Sequence, residues 1–281
     1  MLLKDTLSFA INRLTAAGVG SPRMNAEVLL MFTLGCDRAY LYAHPERALS
    51  PDEIARYDEA LAQRASGVPS QYITGHQEFW GMDLIVSSAV LIPRPETELV
   101  VETVLPLARS LSNPKIVDVG TGSGAIALAL AKELPAATIH ASDISEAALE
   151  IARANAARHA LETRVRFHQT DLLAGFEAES LDFVVSNPPY VGESEEDQVQ
   201  LEVRKFEPRQ AVFAGPTGVE VITRLIPQAR RVLKAEGWLV LEISGTIRNE
   251  VQTVLCEWDE VKFSTDLQRI PRVASARKPK P

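Results

Sequence analysis

The chain has 281 residues, 46% hydrophobic and 23% charged, with a formal net charge of −8. That length suits two domains or one large one, and that composition builds an ordinary core, so global disorder is excluded. The acidic balance argues against binding nucleic acid through bulk electrostatics, which needs Lys and Arg to neutralise phosphates; a local basic patch stays possible. Cys36 and Cys256 are the two cysteines and lie far apart; neither a disulfide framework nor a zinc site can be built from them, which fits a reducing cytoplasm. Lys4 and Asp5 break the apolar run of a signal peptide, and no stretch approaches the roughly 18 apolar residues of a membrane span. The five histidines show no i, i+4 ligand pair, so no metal site is expected.

The first part of the chain reads as helical. Leu3, Leu7, Ala10, Ile11 and Leu14 recur at helical spacing, and Gly18 and Gly20 stop the run. Ser21-Pro22 predicts a second helix with Ser21 as its cap. Ser50-Pro51-Asp52-Glu53 is a capping-box pattern for a helix running to about Gly67. Residues 1–75 are therefore expected to be a small helical domain that recognises a partner. Residues 76–92 read as a β-hairpin linker, and 93–281 as a catalytic domain. From Lys115 onward, apolar β-type runs (Ile116–Val119, Thr138–Ala141, Val165–His168, Phe183–Ser186, Trp238–Ile243) alternate with helical segments. That alternation predicts an α/β fold with a doubly wound, mainly parallel sheet, whose ligands bind at the carboxyl ends of the strands. The tail Arg277-Lys278-Pro279-Lys280-Pro281 is expected to fray.

The residues that follow the strands carry the chemistry. After the first comes Asp118-Val119-Gly120-Thr121-Gly122-Ser123-Gly124. The glycines allow a tight turn and close approach of a ligand to a helix N-terminus. The spacing is not the G-x-G-x-x-G of dinucleotide binders, which weakens the case for a dehydrogenase. The second strand ends at Asp143, able to accept from both hydroxyls of a ribose, while Ser145 is better placed to cap the next helix. After the third strand, Asp171 could meet an adenine amine or could be a solvated turn residue. The fourth ends in Asn187-Pro188-Pro189-Tyr190. Two prolines remove two N–H donors and leave carbonyls free to accept. Asn187 adds a side-chain carbonyl and Tyr190 a flat face, which together suit a planar NH₂ group.

The glycine loop, Asp143 and Asn187-Pro188-Pro189-Tyr190 together resemble the S-adenosylmethionine-dependent amino-group methyltransferases. The resemblance implies a Rossmann-like methyltransferase domain. It implies that Gly120, Thr121, Gly122, Ser123, Gly124, Asp143, Asp171, Leu172 and Asn187 hold S-adenosylmethionine. It implies that Asn187, Pro188, Pro189 and Tyr190 hold the nitrogen to be methylated, with Asn187, Pro188 and Tyr190 as the catalytic set. Within that superfamily, Glu78-Phe79-Trp80-Gly81, Leu91-Ile92-Pro93-Arg94-Pro95-Glu96-Thr97-Glu98, Glu207-Pro208-Arg209 and Leu241-Glu242-Ile243 resemble the peptide chain release factor N5-glutamine methyltransferases. The implied substrate is the glutamine of the Gly-Gly-Gln loop of class I release factors, gripped in part by the N-terminal helices. The chain departs from that family at Leu172, at Ala214-Gly215-Pro216-Thr217-Gly218 and at Ser244-Gly245-Thr246. The rival is an adenine-N6 methyltransferase of DNA or RNA, using the same motif on a flipped base. It would want a basic recognition module, yet residues 1–92 hold 7 Lys/Arg against 10 Asp/Glu, and 93–281 hold 22 against 27. Stable nucleic-acid or membrane binding is not expected.

Overall fold

The structure, a computed structural model, describes residues 1–280. It divides into two compact units, one of Met1–His76 with Leu201–Phe206, the other of Gln77–Gln200 with Glu207 onward. The first unit is helical: α1 Leu3–Ala16, α2 Pro22–Leu34, α3 Arg38–Ala43, α4 Pro51–Ala65 and α5 Ser70–Thr74. Its core is the apolar stripe of each helix, with Leu3, Ala10, Leu14, Leu29, Leu30, Tyr57 and Leu61 buried together. The capping box of α4 forms, Ser50 accepting from Glu53 N while Glu53 accepts from Ser50 N. Ser21 does not cap α2: it sits at φ 48°, and the Asn25 side chain donates to the Gly20 and Ser21 carbonyls at 2.9 and 3.2 Å instead. Asn25 in turn accepts from the buried Arg64 at 2.8 Å, and Arg64 reaches Glu202 of the later segment at 2.9 Å.

The second unit begins at Gln77, within strand β1 His76–Phe79, and continues with β2 Met82–Ile85. Trp80 and Gly81 between them have φ of 55° and 65°, the two left-handed residues of a type I′ hairpin turn. Phe79, Met82 and Leu84 are buried with Val100, Val104 and Leu128, so the hairpin is a packed part of this unit rather than a free linker. Next come α6 Glu98–Ala108, β3 Lys115–Val119, α7 Ala125–Glu133, β4 Thr138–Asp143, α8 Glu146–Arg158, β5 Val165–Gln169, β6 Leu181–Ser186 and β7 Val191–Gly192. Helix α9, Leu201–Phe206, belongs to the first unit, whereas the sequence pattern assigns it to the catalytic domain. The chain then forms α10 Arg209–Val212, β8 Phe213–Gly215, α11 Glu220–Val232, β9 Leu233–Glu242, α12 Arg248–Val254, β10 Asp259–Thr265 and β11 Pro271–Arg277.

Seven strands make one sheet in the order β10-β11-β9-β6-β3-β4-β5, and β7 pairs with β8 apart from it. Strands β9, β6, β3, β4 and β5 run parallel, and β11 enters antiparallel between β9 and β10. The period of two explains the layers: Ile116 packs on one face with α6 and α7, while Val117 packs on the other with α11 and α12. The fold is thus the expected doubly wound sheet, with a two-strand antiparallel extension. The extension corrects the expected frayed tail at Arg277 and Lys278, while Pro281 lies outside the described residues. Arg277 pairs with Trp238, and Lys278 N–H donates to the Gly237 carbonyl at 2.8 Å.

One side chain ties the hairpin to the edge of the sheet. Asn155 on α8 is fully buried; its Oδ1 accepts from Ile85 N at 2.6 Å, and its Nδ2 donates to the carbonyls of Ile85 and Ser123 at 3.0 and 2.9 Å. Asn155→Ala leaves three backbone groups, one of them fully buried, without their partner. Urea unfolding should show a loss of roughly 2–4 kcal/mol, the range for several unsatisfied buried groups.

Candidate active site

Strands β3, β4, β5 and β6 all end at one edge, where a cavity of about 350 Å³ opens. Gly120 and Gly122 follow β3 at φ 69° and 56°, and a Cβ on either would meet nothing within 4 Å, so bare backbone lines that space. Gly124, at φ 85°, serves packing instead. A Cβ there would press on Leu128 and Ala152 at 3.2 and 3.3 Å, so its absence lets α7 start close to α8. The loop is strapped to β4, with Gly120 N and Thr121 N donating to the Ser142 carbonyl at 2.8 and 3.0 Å.

Two carboxylates flank this loop. Asp118, buried beneath it, accepts on Oδ2 from Thr121 Oγ1 at 2.6 Å and from Ala127 N at 3.1 Å, while its buried Oδ1 has no partner. Burial pushes its pKa up to about 7 against the pull of those two bonds. Asp143, half-buried, accepts from Gly122 N at 3.0 Å and Ser145 N at 2.9 Å. Ser145 caps α8 as expected, accepting from Ala148 N at 3.2 Å. Asp143 is therefore held in place with acceptor capacity left over, since two carboxylate oxygens offer about four lone-pair sites.

Across the cavity, Ser186 donates to the Val119 carbonyl at 2.6 Å and fixes where β6 ends. Asn187 follows. Its Nδ2 donates to Thr97 Oγ1 at 3.1 Å, and among the described residues its Oδ1 has no partner. Tyr190 Oη donates to Glu242 Oε1 at 3.1 Å. The loop backbone is braced by Gly218, where a Cβ would lie 2.6 Å from the Tyr190 carbonyl oxygen. The segment before α6 is held by Glu207: its buried carboxylate pairs with Arg94 and accepts from Ile92 N at 3.2 Å. The two sequence motifs around Arg94 and Glu207 are thus joined in space.

Gly120, Thr121, Gly122, Ser123, Asp143, Asp171, Leu172, Asn187 and Pro189 converge on the one cavity. Gly124, Pro188 and Tyr190 stand outside its lining, and Asp171 is already paired with Arg224. Leu172 reaches the cavity at φ 52°, with its carbonyl accepting from Ser142 Oγ at 3.3 Å. Sequence reasoning missed Thr97 as a lining residue, although the motif at Pro93–Glu98 contains it, and missed Phe213 and Arg224. It also missed a pairing between strands, His140 Nδ1 with His168 Nε2 at 2.8 Å, because their separation along the chain hides it. The donor set fits S-adenosylmethionine. Bare loop backbone accommodates a bulky ligand, and Asp143 has acceptor capacity for a diol.

Comparison with known proteins agrees. Residues 5–75 match the family model described as PrmC N-terminal domain, and residues 96–205 match the Methyltransferase small domain. The chain is 53% identical to the release factor glutamine methyltransferase of Koribacter versatilis, covering 99% of both chains. It is 45% identical to that of Moorella thermoacetica, covering 87% of this chain and 86% of the relative. Among solved structures, the hMettl16 catalytic domain superposes with a TM-score of 0.58 at 17% identity, over 78% of this chain and 80% of that one. A methyltransferase from Pyrococcus furiosus gives a TM-score of 0.53 at 19% identity, over 71% of this chain and 90% of that one. These two show a shared fold, and the end-to-end identity with the first two goes further: the chain belongs to the release factor glutamine methyltransferase family.

Proposed function

We propose that this enzyme moves the methyl group of S-adenosylmethionine onto the side-chain amide nitrogen (N5) of the glutamine in the Gly-Gly-Gln loop of class I peptide chain release factors. The family assignment supplies the reaction class and the donor. The observation that carries the acceptor reading is Asn187: its Nδ2 is committed to Thr97, and its Oδ1 is free beside the cavity. When bound, S-adenosylmethionine supplies an electrophilic methyl group. An amide nitrogen is a poor nucleophile, so what the chain must provide is alignment, which is worth roughly 7–11 kcal/mol in favourable cases. Asn187 Oδ1 and the Pro188 carbonyl each accept one N–H of the primary amide and favour the positive charge that grows on its nitrogen. Tyr190, tied through its hydroxyl to Glu242, is held rigid beside them. No base is required, because the proton made acidic by methylation can leave to water afterwards.

The first unit is read as the grip on the release factor. Phe9, Met24, Phe32 and Tyr42 are large apolar side chains of this unit that stand at least half exposed, between 50% and 59%. They are the side chains a grip on a protein partner would use. The adenine-N6 alternative is not favoured: neither part of the chain is basic. A cytoplasmic setting, where release factors act, follows from the substrate; no described helix is long and apolar enough to cross a membrane.

Three outcomes test this reading. Asp143→Ala should weaken S-adenosylmethionine binding by roughly 1.5–3 kcal/mol in calorimetry, the loss expected for a hydrogen bond to a charged group. Asn187→Ala should leave the donor bound while methylation of the release factor falls by a large factor, with mass spectrometry placing the wild-type label on the Gly-Gly-Gln glutamine. Label on DNA adenine and none on the release factor would sink the substrate assignment. Phe9→Ser combined with Phe32→Ser should raise KM for the intact release factor and leave kcat and donor affinity near wild type.

A further inference from the structure

Two proline-bearing segments meet at the acceptor side of the cavity, and both are short of backbone donors. Asn187 is followed by Pro188 and Pro189, which have no N–H. Opposite it, Ile92-Pro93-Arg94-Pro95 leads into the 3₁₀ turn Pro95–Thr97 and then α6, with two N–H groups missing there as well. The bond from Asn187 Nδ2 to Thr97 Oγ1, 3.1 Å long, braces one segment against the other. The place of the Thr97 oxygen therefore helps decide where the Asn187 amide points.

Thr97 stands at the N-terminus of α6, where the first N–H groups have no partner inside the helix. Its side chain caps none of them, being committed to Asn187. The turn is closed by the Thr97 N–H, which donates to the Arg94 carbonyl at 3.0 Å. Arg94 is extended, at φ −100° and ψ 147°, and lies in neither helix nor strand. Its hold comes from 113 residues further along the chain. The Glu207 carboxylate, 1% exposed, pairs with the Arg94 guanidinium through Oε1 and accepts from Ile92 N through Oε2 at 3.2 Å. One carboxylate thus grips the segment by side chain and by backbone, just ahead of the turn that carries Thr97.

We propose that Glu207 and Arg94 are positioning residues for Asn187. Glu207 fixes Ile92 and Arg94, the Arg94 carbonyl fixes Thr97, and the Thr97 hydroxyl fixes the amide whose Oδ1 meets the acceptor nitrogen. The inference rests on the reading of Asn187 given above. Burying a carboxylate is unfavourable unless it is both paired and hydrogen-bonded, and Glu207 has both kinds of partner. An apolar residue would fill the same space and leave Ile92 N and Arg94 unheld. The relay ends at Asn187 and includes neither the glycine loop nor Asp143, so its loss falls on kcat and not on donor affinity.

The experiment uses the full chain with unmodified release factor and labelled S-adenosylmethionine. Glu207→Gln keeps an oxygen for Ile92 N and removes the charge that holds Arg94. Its kcat should fall roughly 10–100-fold, because a displacement of about 1 Å set up far from the chemistry costs up to about 100-fold. Donor affinity in calorimetry should stay within about twofold, the margin for independent sites. Arg94→Gln approaches the pair from its more exposed side and should show the same split, while Arg94→Lys, which keeps the cation, should be faster than Arg94→Gln. The deciding measurement is a double-mutant cycle. In an Asn187→Ala background, Glu207→Gln should change kcat by less than about twofold, since the residue it positions is gone. Losses that multiply in the cycle overturn the proposal. So does a wild-type kcat in Glu207→Gln and Arg94→Gln, or a fall in donor affinity that matches the fall in kcat. If Asn187→Ala keeps its rate, the acceptor reading fails and this inference with it; if Asn187→Ala is slow and Glu207→Gln is not, only the positioning inference fails.

Discussion

Parallel β-strands cannot turn straight back on themselves, and this topological constraint organises the second unit. Each of β3, β4, β5 and β6 must hand its chain to a crossover at the same edge of the sheet. The first residues of every crossover are thereby crowded into one place. Those residues are Gly120 to Ser123, Asp143, Asp171-Leu172, Asn187 and Pro189. The cavity is a consequence of the connection rule, and its chemistry is the choice of side chain at four exits. Hydrogen bonds from Ser186 to Val119 and from Gly120 and Thr121 to Ser142 hold neighbouring exits to one another, so the exits are set relative to the sheet and not only relative to their own loops.

Beyond the exits, the site is closed by segments far away in sequence. Glu207 fixes the approach to α6 through Arg94 and Ile92, and Asn155 fixes the end of the hairpin to Ser123 of the glycine loop. Each of these is a buried polar side chain that satisfies backbone groups no helix or strand could satisfy. Truncating such a residue exposes the cost of several groups at once.

The sheet and the exits were legible because they obey local rules. An apolar run bounded by glycine or proline is a buried strand, and the residue after it sits at the strand's end. The glycine loop and the capping residue Ser145 follow the same logic. Strands β10 and β11 were not legible. Asp259–Thr265 lies at the open edge of the sheet, mostly exposed, with only Val261 and Phe263 packing inward, so its apolar signal is thin. Ser21-Pro22 has the form of a cap, yet Ser21 sits at φ 48° with no side-chain cap bond, and Asn25 instead ties down the Gly20 and Ser21 carbonyls from inside the helix. Asp171 was readable as an acidic residue at the right place; its pairing with Arg224, 53 residues on, was not. The bond from Tyr190 to Glu242 belongs to this last class: it joins the loop after β6 to the end of β9, and nothing in either segment announces the other.

The two buried carboxylates set stability against function. Asp118 and Glu242 both have pKa values raised to about 7 by burial, well above their unfolded values. Between about pH 4 and 7 the folded chain therefore holds protons that the unfolded chain has released, and each group makes the fold less stable as pH rises through that window. An apolar residue at either place would remove that penalty. Both nevertheless stand at the functional end of the sheet: Asp118 closes the glycine loop on α7 through Thr121 and Ala127, and Glu242 anchors the acceptor loop through Tyr190.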